Sequence, residues 1–325
     1  MEKRILVRAP NWIGDAVMST GFLSALRPLE PDALITVLAH RRVAPIFQHN
    51  PAVERIVTFD SRDPLWKISR PLRKERFDRA YILPLSVSSA LVAWLAGIPE
   101  RIGYDADGRG ALLTRRVRCR KEEFRSRHMI RDYLALLGQD AGIERPEIFL
   151  AGQEMHWADA WLKERGMLGK DIIGFGPGAA YGPAKRWPME RWIELGRRLK
   201  AQGRNILIFG SFDESRLCRE IERNIGTNAV SLAGGTDLRQ SAALIALCRA
   251  FVTNDTGAMH LAAAVGAKVV ALFGSTNPDW TRPWGDKHII LYSKEPCSPC
   301  YKRTCRFEHY DCLNKITVDD VWRAV

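Results

Sequence analysis

The sequence predicts an α/β protein built from two doubly wound parallel sheets. Three observations carry that prediction. The stretch Thr253 to Pro278, TNDTGAMHLAAAVGAKVVALFGSTNP, reads as strand end, tight turn, small-residue helix and second strand, which is one crossover unit of a parallel sheet. The first half of the chain alternates short apolar runs with helical patterns of matching length. After Gly166 and Gly169 a second series of the same kind begins.

Ile5 to Ala9 reads as a buried strand, followed by the turn Pro10-Asn11-Trp12-Ile13-Gly14 and a helix from Asp15 or Ala16 to about Leu26 that Pro28 and Pro31 close. Strands follow at Leu34 to Leu38, Ile56 to Phe59 and Ala80 to Leu83, with a short helix at Val43 to Gln48. Pro84-Leu85-Ser86 leads into a helix over Ser88 to Ala96, and further helices are expected over Ser126 to Leu137 and Glu154 to Arg165. The second series has strands at Ile172 to Phe175, Asn205 to Phe209, Ala250 to Val252 and Val269 to Phe273. Its helices are Pro188 to Gln202, Glu214 to Asn224, Leu238 to Leu247 and Ala258 to Val265.

At 325 residues the chain is long for one core and comfortable for two domains, expected over 1–168 and 169–325, with the last helix able to pack back on the first. Tandem sheets suggest domains facing across a cleft, because ligands of open parallel sheets bind beyond the carboxyl ends of the strands. Hydrophobic residues at 46% and charged residues at 26% describe a soluble globular chain. No apolar run is long enough to span a bilayer, and MEKRILVRAP has too short an apolar core for a signal peptide, so a cytoplasmic address is expected. The formal charge of +12 suits nucleic acid, anionic lipid or a phosphorylated substrate. No zinc-finger, RNP or helix-turn-helix pattern supports nucleic acid. Basic residues crowd Arg101 to Arg131, which reads as a solvated face or as a surface for an anionic acceptor or membrane.

Three loops that follow predicted strands should carry chemistry. In the first, Asp15 opens a helix, either as its cap or as a carboxylate able to take a proton from an incoming hydroxyl. The second, GFGPGAAYGPAKRWPMERW, combines glycines with Lys185 and Arg186 and does not fit the Walker pattern, since Gly182 is followed by Pro183. In the third, FGSFDES, Asp213 and Glu214 either cap a helix or receive donors from a ribose or base. The turn Asn254-Asp255-Thr256-Gly257 sits where a helix start presents free amides to an anion, and Thr256 and His260 fall on one helix face. Capping by Asp255 or Thr256 and packing of His260 are the competing accounts.

NWIGDAVMS, PGAAYGPAKRWP, NDTGAMHLAAAVGAKVVALFGSTNP and CSPCYKRTC followed by HYDCL together resemble the ADP-heptose:lipopolysaccharide heptosyltransferases of glycosyltransferase family 9, most of all those of type II, over nearly the whole chain. Pro84-Leu85-Ser86 departs from the Asn-Ser pair expected there. The resemblance implies a GT-B arrangement of two Rossmann-like domains, acceptor bound by the first and ADP-L-glycero-β-D-manno-heptose by the second. It implies inverting transfer of heptose to heptosyl-Kdo2-lipid A by a peripheral enzyme on the cytoplasmic face of the inner membrane, without cofactor or metal. Carried over position by position, Asp15 is the catalytic base, with Gly14 beside it. Lys185, Gly178, Thr256 and Gly257 contact the diphosphate side of the donor, Asp255 and His260 lie near sugar and phosphates, and Asp213 or Glu214 faces the nucleoside. The alternatives are a type I or III transferase of the same fold, or a non-catalytic nucleotide-binding protein.

Seven cysteines without a secretion signal argue for thiols. Cys297, Cys300, Cys305 and Cys312 gather in one stretch, but the second pair is split by six residues, unlike a typical four-thiolate zinc site, so no metal is assigned.

Overall fold

Ile5, Leu6 and Val7 of β1 (Arg4–Arg8) are all buried, as a central strand of a parallel sheet covered on both faces requires. In a computed structural model that describes residues 2–118, 125–138 and 145–325, β1 pairs in parallel with β2 (Leu34–His40) on one side, Leu6 opposite Thr36. On its other side it pairs with β4 (Arg79–Ile82), Leu6 opposite Ala80. With β3 (Arg55–Phe59), β5 (Glu100–Asp105) and β6 (Arg115–Arg118) the sheet runs β3-β2-β1-β4-β5-β6, every pairing parallel. The helices of this half are α1 (Ile13–Leu29), α2 (Leu65–Lys74), α3 (Val87–Leu95) and α4 (Met129–Leu134). Leu72, Ala90 and Ala93 of α2 and α3 enter one core with Leu6, Leu38 and Ile82.

The second half opens with α5 (Gly152–Glu164) and then adds β7 (Ile172–Gly176), α6 (Met189–Ala201), β8 (Asn205–Ile208), α7 (Ser215–Ile225) and β9 (Ala229–Ser231). It continues with α8 (Leu238–Ala246), β10 (Ala250–Asn254), α9 (Gly257–Ala264), β11 (Lys268–Phe273), α10 (Pro278–Thr281) and β12 (Ile289–Tyr292). Two short helices, α11 (Asp311–Asn314) and α12 (Val318–Ala324), end the chain. Its sheet, β12-β11-β10-β7-β8-β9, repeats the order of the first when each is numbered from its own first strand. Each is a Rossmann-like doubly wound sheet. In its core Trp192 packs tilted against Phe175 and edge to face against Trp187, with ring centroids 5.1 and 5.2 Å apart.

The chain divides between Phe149 and Leu150, not at 168/169. α5 goes with the second unit because Glu154 takes two hydrogen bonds from the Arg239 guanidinium on α8, at 2.7 and 2.6 Å. α12 also belongs to the second core: Val318, Val321 and Ala324 are buried there, and Trp187 Nε1 donates to the Ile316 carbonyl at 2.9 Å.

Four strands escape the sequence pattern. β5, β6, β9 and β12 read ERIGYD, RRVR, AVS and IILY, too short or too charged to signal, and three of them close sheet edges. α2 is missed because Pro71 sits inside it. α1 starts at Ile13, earlier than expected, which places Asp15 in its first turn and not at the cap. α4 starts at Met129, later than expected, because the His128 imidazole accepts the Ile130 N–H at 3.3 Å and caps the helix there.

Candidate active site

In a sheet of this order the crevice that binds ligands opens where successive crossovers turn to opposite sides, beyond the carboxyl ends of the two central strands. In the second unit these strands are β7 and β10. The loops that follow them, 177–188 and 255–256, carry Gly178, Lys185, Asp255 and Thr256, and Gly257 and His260 follow in α9.

Lys185 Nζ donates to Asp255 Oδ2 at 2.5 Å, and the same oxygen accepts the Thr276 hydroxyl at 2.5 Å. The ammonium also lies 5.0 Å from the centre of the Tyr181 ring. Asp255 is 5% exposed, so its charge is met by protein groups and hardly by water. Asn254, fully buried at the end of β10, binds both ends of the loop 177–188: its Nδ2 donates to the carbonyls of Pro177 and Gly178 at 2.8 and 3.2 Å, and its Oδ1 accepts the Trp187 N–H at 3.1 Å. The loop bearing Lys185 is therefore anchored at both ends by one amide.

Thr256 stands at the cap position of α9, yet its side chain takes no capping hydrogen bond, and the Asp255 carboxylate is turned to Lys185. Simple capping does not account for this turn. Gly257 opens the helix, and His260, one turn on, is buried. The glycines of the second loop have a different use from the one expected. A Cβ on Gly174 would meet the Phe251 ring at 2.4 Å and one on Gly176 the Thr253 hydroxyl at 2.6 Å, so both serve strand packing. A Cβ on Gly178 would fall 2.0 Å from Glu214 Oε1, which puts that carboxylate against the loop. Glu214 accepts Ser211 N–H at 2.9 Å and Ser211 O–H at 3.0 Å, while Asp213 is exposed.

The segment 298–303 is laid against the same loop. Tyr181 O–H donates to the Tyr301 carbonyl at 2.6 Å, Ala184 N–H to the Arg303 carbonyl at 3.0 Å, and Tyr301 N–H to the Ser275 carbonyl at 2.8 Å. Cys297, Cys300, Cys305 and Cys312 are free thiols, and among the described residues no group of three or more metal-ligating side chains is placed to hold an ion. Burial raises the Cys305 pKa, but backbone N–H groups of Tyr310, Phe307, Glu308 and His309 outweigh it, and the thiol lies below its ordinary value.

In the first unit the central strands are β1 and β4. Asp15, half-buried beside the buried Gly14, lies in the first turn of α1, where the helix dipole favours a carboxylate. The Tyr133 phenol, already raised well above its ordinary value by burial, is raised further by the charges of Asp15 and Asp132. Sequence reasoning missed two arginines here. Arg8 is buried at the end of β1, donates to the Ala9 carbonyl and, at 2.9 Å, to Asn11 Oδ1, and lies over the Phe59 ring. Burial pushes its guanidinium down to about 9, so it is still a cation at neutral pH. Arg109 is 1% exposed and pins the loop after β4, donating to Ser89 Oγ at 3.1 Å and to the Pro84 carbonyl. A lone arginine in a basic stretch carries no signal of burial; only its hydrogen bonds distinguish it. Asn254 could have been found as a polar residue ending an apolar strand, whereas Thr276 lies three residues past the end of β11.

The basic run from Arg101 to Arg131 is not one surface. Arg101 donates to the Ile98 and Leu112 carbonyls, Arg109 is buried, and Arg127 pairs with Asp132 at 2.9 Å. Arg115, Arg116 and Arg118 of β6 are exposed, while Arg120 and Lys121 lie outside the described residues.

Residues 65–311 match the family model of glycosyltransferase family 9 (heptosyltransferase). The chain is 36% identical to lipopolysaccharide heptosyltransferase 2 of Escherichia coli K12, across 89% of this chain and 87% of that protein. It is 32% identical to lipooligosaccharide heptosyltransferase 2 of Haemophilus influenzae Rd, across 88% of each. Among solved structures it superposes on that of E. coli ADP-heptose lps heptosyltransferase II with a TM-score of 0.84 at 33% identity, covering 100% of this chain and 97% of the other.

Proposed function

Because the chain belongs to glycosyltransferase family 9, the heptosyltransferases, we propose that it transfers L-glycero-D-manno-heptose, with inversion, from ADP-heptose to the first heptose of a lipopolysaccharide inner core. The observation that carries the reading is the Lys185, Asp255 and Thr276 cluster at the switch point of the second sheet, in a chain a third identical to second-heptose enzymes.

Inversion in one step needs a base for the acceptor hydroxyl and a stabiliser for the departing diphosphate. The acceptor oxygen forms the new bond to the anomeric carbon as the bond from that carbon to the diphosphate breaks; the hydroxyl proton passes to Asp15, and the electron pair leaves with ADP. Lys185 has three N–H donors, so it can keep Asp255 and still meet a phosphate oxygen. The Thr256 hydroxyl and the amides opening α9 at Gly257 add donors toward the same charge. His260 lies one turn behind them, and Gly178 lets the Glu214 carboxylate come up against the loop on the other side. Of the two acids, Glu214 suits the ribose hydroxyls, since it lies against Gly178, whereas Asp213 faces solvent.

The acceptor in this reading is heptosyl-Kdo2-lipid A, met at the cytoplasmic face of the inner membrane by a peripherally bound enzyme. Among the described residues, no helix is long and apolar enough to cross a membrane. The test is mass spectrometry of acceptors carrying zero, one or two heptoses after incubation with ADP-heptose. The one-heptose acceptor is expected to gain a single heptose. Transfer confined to either other acceptor would assign a different type, and no transfer to any would overturn the reading.

A further inference from the structure

We propose that the joint outer face of α2 and α3 is the surface by which this chain docks on an anionic phospholipid bilayer, a proposal that rests on the lipid-borne acceptor of the preceding reading. The two helices pack on one another and bury Leu72, Ala90 and Ala93 beneath them. Their outer sides carry large apolar groups held in water: Trp66 is 64% exposed, Trp94 49% and Val87 43%.

Around these sit cations, of which Lys67 is paired with Asp63 at 2.6 Å. Neither LWKISRPLRK nor VSSALVAWL contains a carboxylate. Trp66, Arg70, Arg73 and Lys74 recur at helical spacing on one side of α2, and all are exposed. Arg73 reaches across to the turn that ends α3, its Nε 3.9 Å from a Cβ placed on Gly97. None of Arg70, Arg73 and Lys74 is in an ion pair among the described residues, and the acid that follows them, Glu75, is turned instead to Arg4 and Arg55. Exposed indole rings flanked by unpaired guanidinium and ammonium groups fit one partner chemistry: indoles settle at the level of lipid headgroups, and the cations meet their phosphates. The arginines of β6 lack the apolar half of that pattern.

The test is flotation with vesicles of phosphatidylcholine alone or with 30% phosphatidylglycerol. The wild-type chain is expected to float with the anionic vesicles and far less with the neutral ones. Replacing Arg70, Arg73 and Lys74 together by Gln should weaken that partition on the order of 100-fold, taking the usual contribution of each cation near an anionic surface. Trp66→Ser with Trp94→Ser should weaken it as well, and 0.5 M salt should release the wild type. Heptose transfer to a deacylated, soluble acceptor should be unchanged in both variants, which also shows that they fold. Wild-type partition by either variant, or loss of partition on replacing Arg115, Arg116 and Arg118 alone, would overturn the assignment. Partition is read without substrate, so failure of the wild type to transfer heptose would fall on the function and not on this surface.

Discussion

The Lys185 side chain is only 14% exposed, and Asp255 and the Tyr181 ring stand in for water around it. Removing one member of such a buried pair leaves the other without compensation, which costs about 3–5 kcal/mol, whereas removing both costs far less. Asp255→Asn and Lys185→Met should each lower the urea midpoint of unfolding by that order, and the double variant should recover most of it. ADP-heptose affinity should fall in Lys185→Met and stay low in the double variant. Recovery of affinity along with stability would show the lysine to be structural only. Lys185 was legible as a cation in a glycine- and proline-rich loop between a strand and a helix, and Asp255 because it follows an apolar strand directly. Asn254 was legible as a polar strand end, but only the structure reveals that its amide gathers Pro177, Gly178 and Trp187.

The loop from Tyr181 to Lys185 and the segment from Ser298 to Arg303 form a layered pair, closed by the Tyr181 hydroxyl and a backbone hydrogen bond and not by the cysteines that drew notice in the sequence. Gly182 is the point of closest approach. Its φ is +148°, and a Cβ there would lie 2.5 Å from the Arg303 carbonyl oxygen, a backbone atom that cannot swing away. Gly182→Ala is expected to destabilise the chain by about 1–3 kcal/mol and to weaken ADP-heptose binding, because Lys185 is three residues further on. Calorimetric melting and titration with ADP-heptose would check both. A stable variant that binds normally would show that the two segments move independently. At this scale the sequence reading recovered the central strands, whose apolar runs are dense, and lost the edges. RRVR cannot be told from a solvated charge run without knowing that Ile102 and Gly103 of β5 lie opposite. α5 was assigned to the wrong half because its partner is the side chain of Arg239, 85 residues away.

For the molecule as a whole, repetition of one strand order in both units is what makes the reading coherent: each has a single switch point, one carrying Asp15 and the other Lys185. That division was legible early, from crossover units repeated along the chain. What composition hid was the use of charge, since a net +12 is spread over buried arginines, paired arginines and a helical face, each with a different task. The account stands or falls on separating proton transfer from donor binding. The most direct measurement is the turnover of Asp15→Asn set beside its affinity for ADP-heptose. Affinity should stay within about threefold of wild type while kcat falls by about 10²–10⁴-fold, the usual contribution of a general base. Turnover near the wild-type rate, or loss of donor affinity in step with turnover, would contradict it.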